Sequence, residues 1–264
     1  FKSLRLFLSS FTQLISIDFI NDRIGVFDDV LQETSLVVFK KQISNNHKTL
    51  VNLIQTNKAN GNTQTTTHSL GKYKAPFKED RPWLFPRSFE QTATLKGAKM
   101  MSNNLTSLGL KISTGQLVWN RHKNQLADVP HKDTYPLIWA ESVLSDGTFQ
   151  FRSDRNNHKP YIKVYSNQNF LITKKPCILV QRTTAKEQQR RIICAEVPGD
   201  FLDKNPKGFV VENHLNILKQ NGFPLEISLK TIAAILNSKT VDRIFRCISG
   251  SVAVSAYELN AIPL

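Results

Sequence analysis

Residues 1–41, FKSLRLFLSSFTQLISIDFINDRIGVFDDVLQETSLVVFKK, read as a helix, a strand, a loop and a second strand. Apolar side chains at positions 1, 4, 7, 8 and 11 follow the i, i+3, i+4, i+7 spacing of one helix face. LISIDFI (Leu14–Ile20) alternates and is β-rich, NDRIGVFDD is turn-like, and TSLVVFKK (Thr34–Lys41) is a second β-rich run. These elements are too few for an independent domain, and the apolar strand runs need cover on both faces. The expectation is the tail of a larger α/β sheet whose other strands lie upstream of Phe1. The first residue is Phe1 rather than Met, as in a processed chain or a piece of a longer one. A signal peptide fits poorly, because Arg5 interrupts the apolar run and no small-residue cleavage site follows.

Outward from this stretch the character changes. TNKANGNTQTTTHSLGKYKAPFKED, residues 56–80, is polar and nearly free of large apolar side chains, which predicts a linker or loop. The other reading of the same residues is an exposed, Thr-rich edge hairpin. From Arg81 a second domain is expected. Thr94–Leu108 reads as helix, and Leu110–Val118 as strand–turn–strand around Ser113-Thr114-Gly115. Short β-rich runs follow: PLIWA at 136, TFQF at 148, YIKVY at 161, CILVQRTT at 177, RRIICAEV at 190 and GFVVENH at 208. Ser228 and Thr240 are placed to cap two closing helices, and Gly250 to stop the second. Strands followed by helices predict an α+β fold. No internal repeat is visible.

The chain has 264 residues, 40% apolar and 21% charged, enough apolar content for a packed core. Lys and Arg exceed Asp and Glu by 35 to 21, a net +14, which favours a polyanionic partner. Residues 151–192 hold ten of the cations and only two acids, Asp154 and Glu187. The densest part, QRTTAKEQQRR (Gln181–Arg191), joins two apolar runs and reads as a hairpin tip. Arg182, Lys186, Arg190 and Arg191 there suit phosphate and base-edge contacts alike. The plainer alternative is a solvated hairpin. Strand alternation points 190 and 191 opposite ways, so one of the two, not both, should face DNA. Arg121 and Lys123 form the second candidate DNA face.

Other chemistries find little support. No apolar run is long enough for a transmembrane helix, and no basic amphipathic helix suits a membrane surface. Cys177, Cys194 and Cys247 are odd in number and widely spaced, so neither a disulfide scaffold nor a zinc finger is expected. No metal ligands are expected, since the six histidines show no ligand spacing. His214 reads as a hydrogen-bonded packing residue. GxGxxG, a Walker-type loop, HExxH and GxSxG are all missing, and Asp28-Asp29 reads as structural. The residues alone describe a binding protein or the non-catalytic part of an enzyme.

Three stretches carry a resemblance: residues 1–41; ILVQRTTAKEQQRRIICAEV (178–197) with VENHLNIL (211–218); and AAILNSKTVDRIFRCISGSVAVSAYELNAIPL (233–264). In this order they resemble the C-terminal part of adenine-N6 DNA methyltransferases of restriction–modification systems. The first is similar to the end of the methyltransferase sheet. The last, with its LNS…D..FR..SG…EL…PL pattern, is similar to the end of the target-recognition domain. The resemblance implies a methyltransferase remnant at 1–55, a linker at 56–80 and a DNA target-recognition domain at 81–264. It implies site-specific recognition of double-stranded DNA in a bacterial cytoplasm, with Ser249 and Ser251 of the SGS segment among the DNA contacts. Phe27, in RIGVFDDV, matches the family's aromatic that stacks on a flipped adenine; a buried core Phe is the alternative. The family's Gly-rich S-adenosylmethionine loop and its Asn-Pro-Pro-Tyr-type motif are not found in this sequence, which has no Pro-Pro. The cofactor and catalysis therefore belong to an N-terminal catalytic half, with none expected from this chain alone. A looser version of the last pattern occurs in type I specificity subunits, which makes a stand-alone specificity subunit the alternative. The helix–strand–strand start argues against it. A non-specific nucleic-acid or RNA binder fits the charge but lacks an RNP-like motif.

Overall fold

The computed structural model describes residues 2–20, 34–42, 46–59, 62–79, 81–152, 158–183, 190–222 and 224–264. The architecture is mixed α+β, with three β-sheets among the described residues and helices toward the C-terminus. The chain divides into two units. Unit 1 takes residues 1–102, 243–251 and 261–264; unit 2 takes 103–242 and 252–260. The units therefore part some twenty residues later than the expected boundary at 81, and unit 1 takes back two C-terminal segments.

Unit 1 begins with α1 (Lys2–Phe11), β1 (Gln13–Ile20) and β2 (Thr34–Lys40), where the pattern of residues 1–41 places them. The Thr12 hydroxyl donates to the Leu8 carbonyl at 2.6 Å and closes the last turn of α1. The sheet continues with β3 (Thr49–Ala59) and β4 (Asn62–Tyr73) in the order β2-β1-β3-β4. Strand β1 is antiparallel to β2 and parallel to β3. As an inner strand it buries Leu14, Ile17 and Phe19.

Much of 56–80, expected as a linker or loop, forms the Thr-rich edge hairpin of the other reading. Residues 62–73 are strand β4, paired with β3 from Thr49↔Tyr73 out to Ala59↔Asn62. Polarity pointed to a loop, but Thr is a strong strand former, and a strand at the sheet edge needs no apolar outer face. Val51 pairs Gly71 and Asn52 pairs Ser69, so Leu70 is an extra residue, a bulge. Gly71 takes φ +114° beside it, a conformation closed to most side chains. Helix α2 (Phe89–Ala98) starts and stops earlier than the expected Thr94–Leu108. Beyond it Asn104 and Ser107 bond each other's backbone N–H, a local turn that competes with helix.

Unit 2 contains β5 (Leu110–Thr114), β6 (Leu126–Ala127), β7 (Thr134–Ile138), β8 (Tyr161–Lys163), β9 (Ile172–Thr173), β10 (Cys177–Gln181), β11 (Cys194–Glu196), α3 (Gly199–Lys204), β12 (Phe209–Val211) and β13 (Leu215–Gln220). Helices α4 (Leu229–Leu236), α5 (Lys239–Ile248) and α6 (Ala256–Asn260) follow, with the division between units falling inside α5. One sheet runs β11-β10-β13-β5 and the other β6-β8-β7-β12-β9. A first core gathers Cys177, Leu179, Ile193, Phe209 and Ile217; a second gathers Leu137, Trp139, Ile162, Leu171 and Val210. TFQF contributes a single bridge, Val143↔Phe149, rather than a strand. The second strand expected within 110–118 is likewise one bridge, Leu117↔Glu212. Gly115 is required there, since a Cβ would sit 2.2 Å from the Glu212 carbonyl oxygen.

Ser228 caps α4 as expected, accepting from the Thr231 N–H at 3.1 Å. Helix α5 is capped by Ser238 instead of Thr240: its hydroxyl accepts from the Val241 N–H at 3.2 Å. Among the described residues no helix is long and apolar enough to cross a membrane.

Candidate nucleic-acid interface

The basic hairpin is built on β10 and β11, which pair from Ile178↔Glu196 to Val180↔Cys194. Every residue of β10 is buried, so the base of the hairpin is core. Lys186, within the tip, lies outside the described residues, as does Phe27.

Arg182 leaves β10 under several restraints. Its N–H donates to the His214 carbonyl at 2.9 Å, and its own carbonyl accepts from the Val254 N–H at 2.7 Å. Its Nη1 donates to the Asn213 carbonyl at 2.6 Å. Thr183 bridges Ala253. On the return side, Arg190 Nη1 donates to the Asn237 carbonyl at 2.7 Å and Nη2 to the Ser145 carbonyl. Asn237 ends α4, so this guanidinium sits where a helix presents its unpaired carbonyls and negative dipole end. Asp146 next to Ser145 has its carboxyl held below the ordinary value, first by the Thr148 hydroxyl and backbone N–H, with Arg190 adding to it. Arg191 points inward and is 5% exposed. The N–H groups of Arg191 and Ile192 both donate to Asp242 Oδ1. Residues 190 and 191 lie ahead of β11 and outside any strand, so strand alternation does not govern them; Arg190 is half-buried at the edge, whereas Arg191, expected as a candidate DNA contact, is buried in the interior.

The two distant motifs of the sequence meet in this clamp. Asn237 donates from Nδ2 to the Cys194 carbonyl at 2.7 Å and accepts at Oδ1 from the Cys194 N–H at 3.2 Å, as a neighbouring strand would. Asn216 Nδ2 donates to the Val254 carbonyl at 2.8 Å. The LNS…D pattern therefore holds the base of the hairpin; its Asn237 and Asp242 are spent on backbone groups. Ser249 and Ser251 belong to unit 1; Ser249 is buried, and its Oγ accepts from the Ser251 N–H at 3.3 Å, while Ser251 is exposed.

Arg121 and Lys123 are exposed on two short 3-10 turns, Trp119–Arg121 and Lys123–Gln125. Lys123 Nζ lies 5.6 Å from the Trp119 ring centre. The buried Gln125 ties these turns to the next segment: its Nε2 donates to the Lys163 carbonyl and to Gln168 Oε1, both at 2.7 Å. Exposed Lys163, Tyr165 and Phe170 thereby join Arg121 and Lys123 on unit 2. None of these three was singled out from the sequence. One signal was available: between His158 and Lys186 the chain has no Asp or Glu.

His214, expected as a hydrogen-bonded packing residue, has the hydrogen bond, with its Nδ1 2.8 Å from the buried Glu212 carboxylate, but its ring is exposed rather than packed. Among the described residues no group of three or more His, Cys, Asp or Glu side chains gathers as a metal site. All three cysteine thiols are buried, and burial pushes each up to about 12. None of them is an activated nucleophile.

Comparison with known proteins finds distant similarity to type II methyltransferases. The chain is 26% identical over 252 residues to the type II methyltransferase M.PstI of Providencia stuartii, which takes in 92% of this chain and 48% of that protein. It is 27% identical over 161 residues to the type II methyltransferase M.BsuBI of Bacillus subtilis, 60% of this chain and 31% of that one. The chain spans less than half the length of either relative. No family model matches.

The cavity of unit 1 does not fit S-adenosylmethionine. Leu8, Leu14, Phe39, Pro76, Phe77 and Trp83 supply half of its lining residues, with Ala75, His47 and a few hydroxyl and amide groups. It offers neither a carboxylate for ribose hydroxyls nor a glycine turn for close backbone approach.

Proposed function

We propose that this chain is the sequence-recognising part of a site-specific adenine-N6 DNA methyltransferase of a restriction–modification system. The observation that carries the reading is the alignment of 92% of the chain with a type II methyltransferase. Unit 2 supports it: a basic hairpin is clamped at both ends on a closed core, and a second basic surface with exposed aromatic rings lies on the same unit. Recognition would place lysine and arginine on phosphates and amide or guanidinium groups on base edges. Residues 81–264 would then be the target-recognition domain, acting on double-stranded DNA in a bacterial cytoplasm. The first 55 residues would be the end of the catalytic sheet, with Phe27 stacking on the flipped adenine.

Methyl transfer would require a partner half that binds S-adenosylmethionine. Unit 1 supplies a surface suited to it. Leu36, Val37 and Val38 of β2 are 53%, 37% and 51% exposed, and Leu4, Phe7 and Phe11 of α1 are exposed as well. Apolar surface of this kind marks an interface. The test uses the chain alone. It should enrich a defined sequence from a pool of randomised duplexes and give no heat of binding with S-adenosylmethionine in isothermal titration. Failure to enrich any duplex, or a stoichiometric complex with the cofactor, contradicts the proposal.

A further inference from the structure

We propose that Phe170 stacks on a DNA base from within the second basic surface of unit 2; this rests on the DNA-recognition reading above. Phe170 is 67% exposed although its neighbour Leu171 is in the core. The two belong to a 3-10 helix, Ser166–Leu171, in which residues three apart eclipse. Gln168 and Leu171 therefore share the inner line, and Asn167 and Phe170 the outer one. The inner line is fixed. Leu171 is 4% exposed, and Gln168 Oε1 accepts from Gln125 Nε2 at 2.7 Å and from the Tyr165 N–H at 3.2 Å. Gln125 Oε1 is in turn 2.7 Å from His122 Nδ1. A large apolar ring is thus held out into water on a rigid support rather than on a slack loop.

Its surroundings select the partner. Lys174 and Lys175 follow within a few residues, and Lys163 Nζ lies 5.8 Å from the exposed Tyr165 ring. The acids beside this segment lie at its other end or bond it through backbone: Asp128 pairs Lys159, Glu141 bonds His158, and the Asp133 carbonyl accepts from the Val164 N–H. Asn167 and Asn169, both exposed, flank the ring with amides. Cations for phosphates, amides for base edges and an aromatic face for a base are the parts of a nucleic-acid contact. An apolar protein partner would favour fewer lysines along this segment.

The test takes the duplex that the whole chain enriches from a randomised pool and measures binding to it by fluorescence anisotropy across a salt series. Phe170→Ala should lower affinity by up to roughly 100-fold, the upper range of a lost base stack less the cost of unstacking that base from the duplex. Its salt slope should equal the parent's, because no phosphate contact is lost. Phe170→Trp should bind like the parent, and Phe170→Leu, apolar without a π face, like the alanine variant. Lys163→Ala should instead flatten the salt slope by about 0.9. Circular dichroism melts should coincide for all four, since the altered side chains are exposed. If Phe170→Ala binds like the parent while Lys163→Ala weakens binding, the stacking role is overturned and DNA recognition stands. If the parent enriches no duplex, the DNA reading falls and this inference with it. Tighter binding of the matching RNA overturns the assignment to DNA.

Discussion

Strands β2 and β10 have much the same apolar character and opposite fates. Cys177, Ile178, Leu179 and Val180 of β10 are all at 0% exposure, whereas β2 leaves three consecutive apolar residues open. Neighbours, not composition, separate them. Strand β10 lies between β11 and β13, with α4 packed on its sheet. Among the described residues strand β2 is an edge, with β1 as its partner in the sheet. Unit 2 has closed its core and turned basic and aromatic groups outward. Unit 1 still shows the kind of surface that a partner covers.

The contrast can be broken first in the cores. Phe209, at 0% exposure and packed against Phe201, should cost about 3–5 kcal/mol when replaced by Ala. Val38→Ala on β2 should change stability by no more than about 0.5 kcal/mol. Denaturant melts of both variants check this, and a large cost at Val38 would mean that β2 is covered after all.

The thiols sharpen the comparison. Each cysteine is raised from 9.0 to about 12 by burial, so the folded state holds the protonated form more strongly than the unfolded state does. That contribution to stability is full below pH 9 and is lost as pH rises from 9 toward 12. A stability profile should therefore fall across this alkaline window. In native protein near neutral pH, thiol reagents should label all three slowly. Cys247, in unit 1, should be labelled before Cys177 and Cys194 if unit 1 opens more readily. Mass spectrometry of partially labelled protein reads the order.

A smaller effect is expected at the edge itself. Leu36→Thr with Val38→Thr should reduce concentration-dependent self-association in light scattering while leaving the melt nearly unchanged. Equal association in parent and variant would show that the apolar edge is not the sticky surface.

Much of the fold was legible where one periodicity acted alone. The stripe in residues 1–11 marked α1, the Ser228 cap marked α4, and the alternating or apolar runs marked β1, β2, β7, β8, β10, β11 and β12. The stripe said nothing of what would cover it, and Leu4 and Phe7 are exposed. At 56–80 the polar residues leave a linker and a Thr-rich edge hairpin both open, because hydropathy is a poor guide at an edge, where backbone pairing and Thr propensity decide for the hairpin. Strand β13 was missed because its Asn216 and Lys219 break the apolar run, though Asn216 is buried on a tertiary partner, the Val254 carbonyl. Candidate DNA residues were legible as charge but not as direction. Arg190 and Arg191 are adjacent, yet the second is buried, with its backbone N–H donating to Asp242, 51 residues away. Tyr165 and Phe170 carry no sequence mark of exposure; a 3-10 helix of one buried and one open line is visible only in three dimensions.

The central claim is that this chain supplies the DNA site while another half supplies methyl transfer. It is tested most directly by a chimera in which this chain replaces the matched portion of M.PstI, followed by mapping of methylated bases in DNA incubated with S-adenosylmethionine. The account predicts adenine-N6 methylation at the sequence that this chain enriches by itself. Methylation that stays at the parent enzyme's own site, or falls on a base other than adenine, would contradict it.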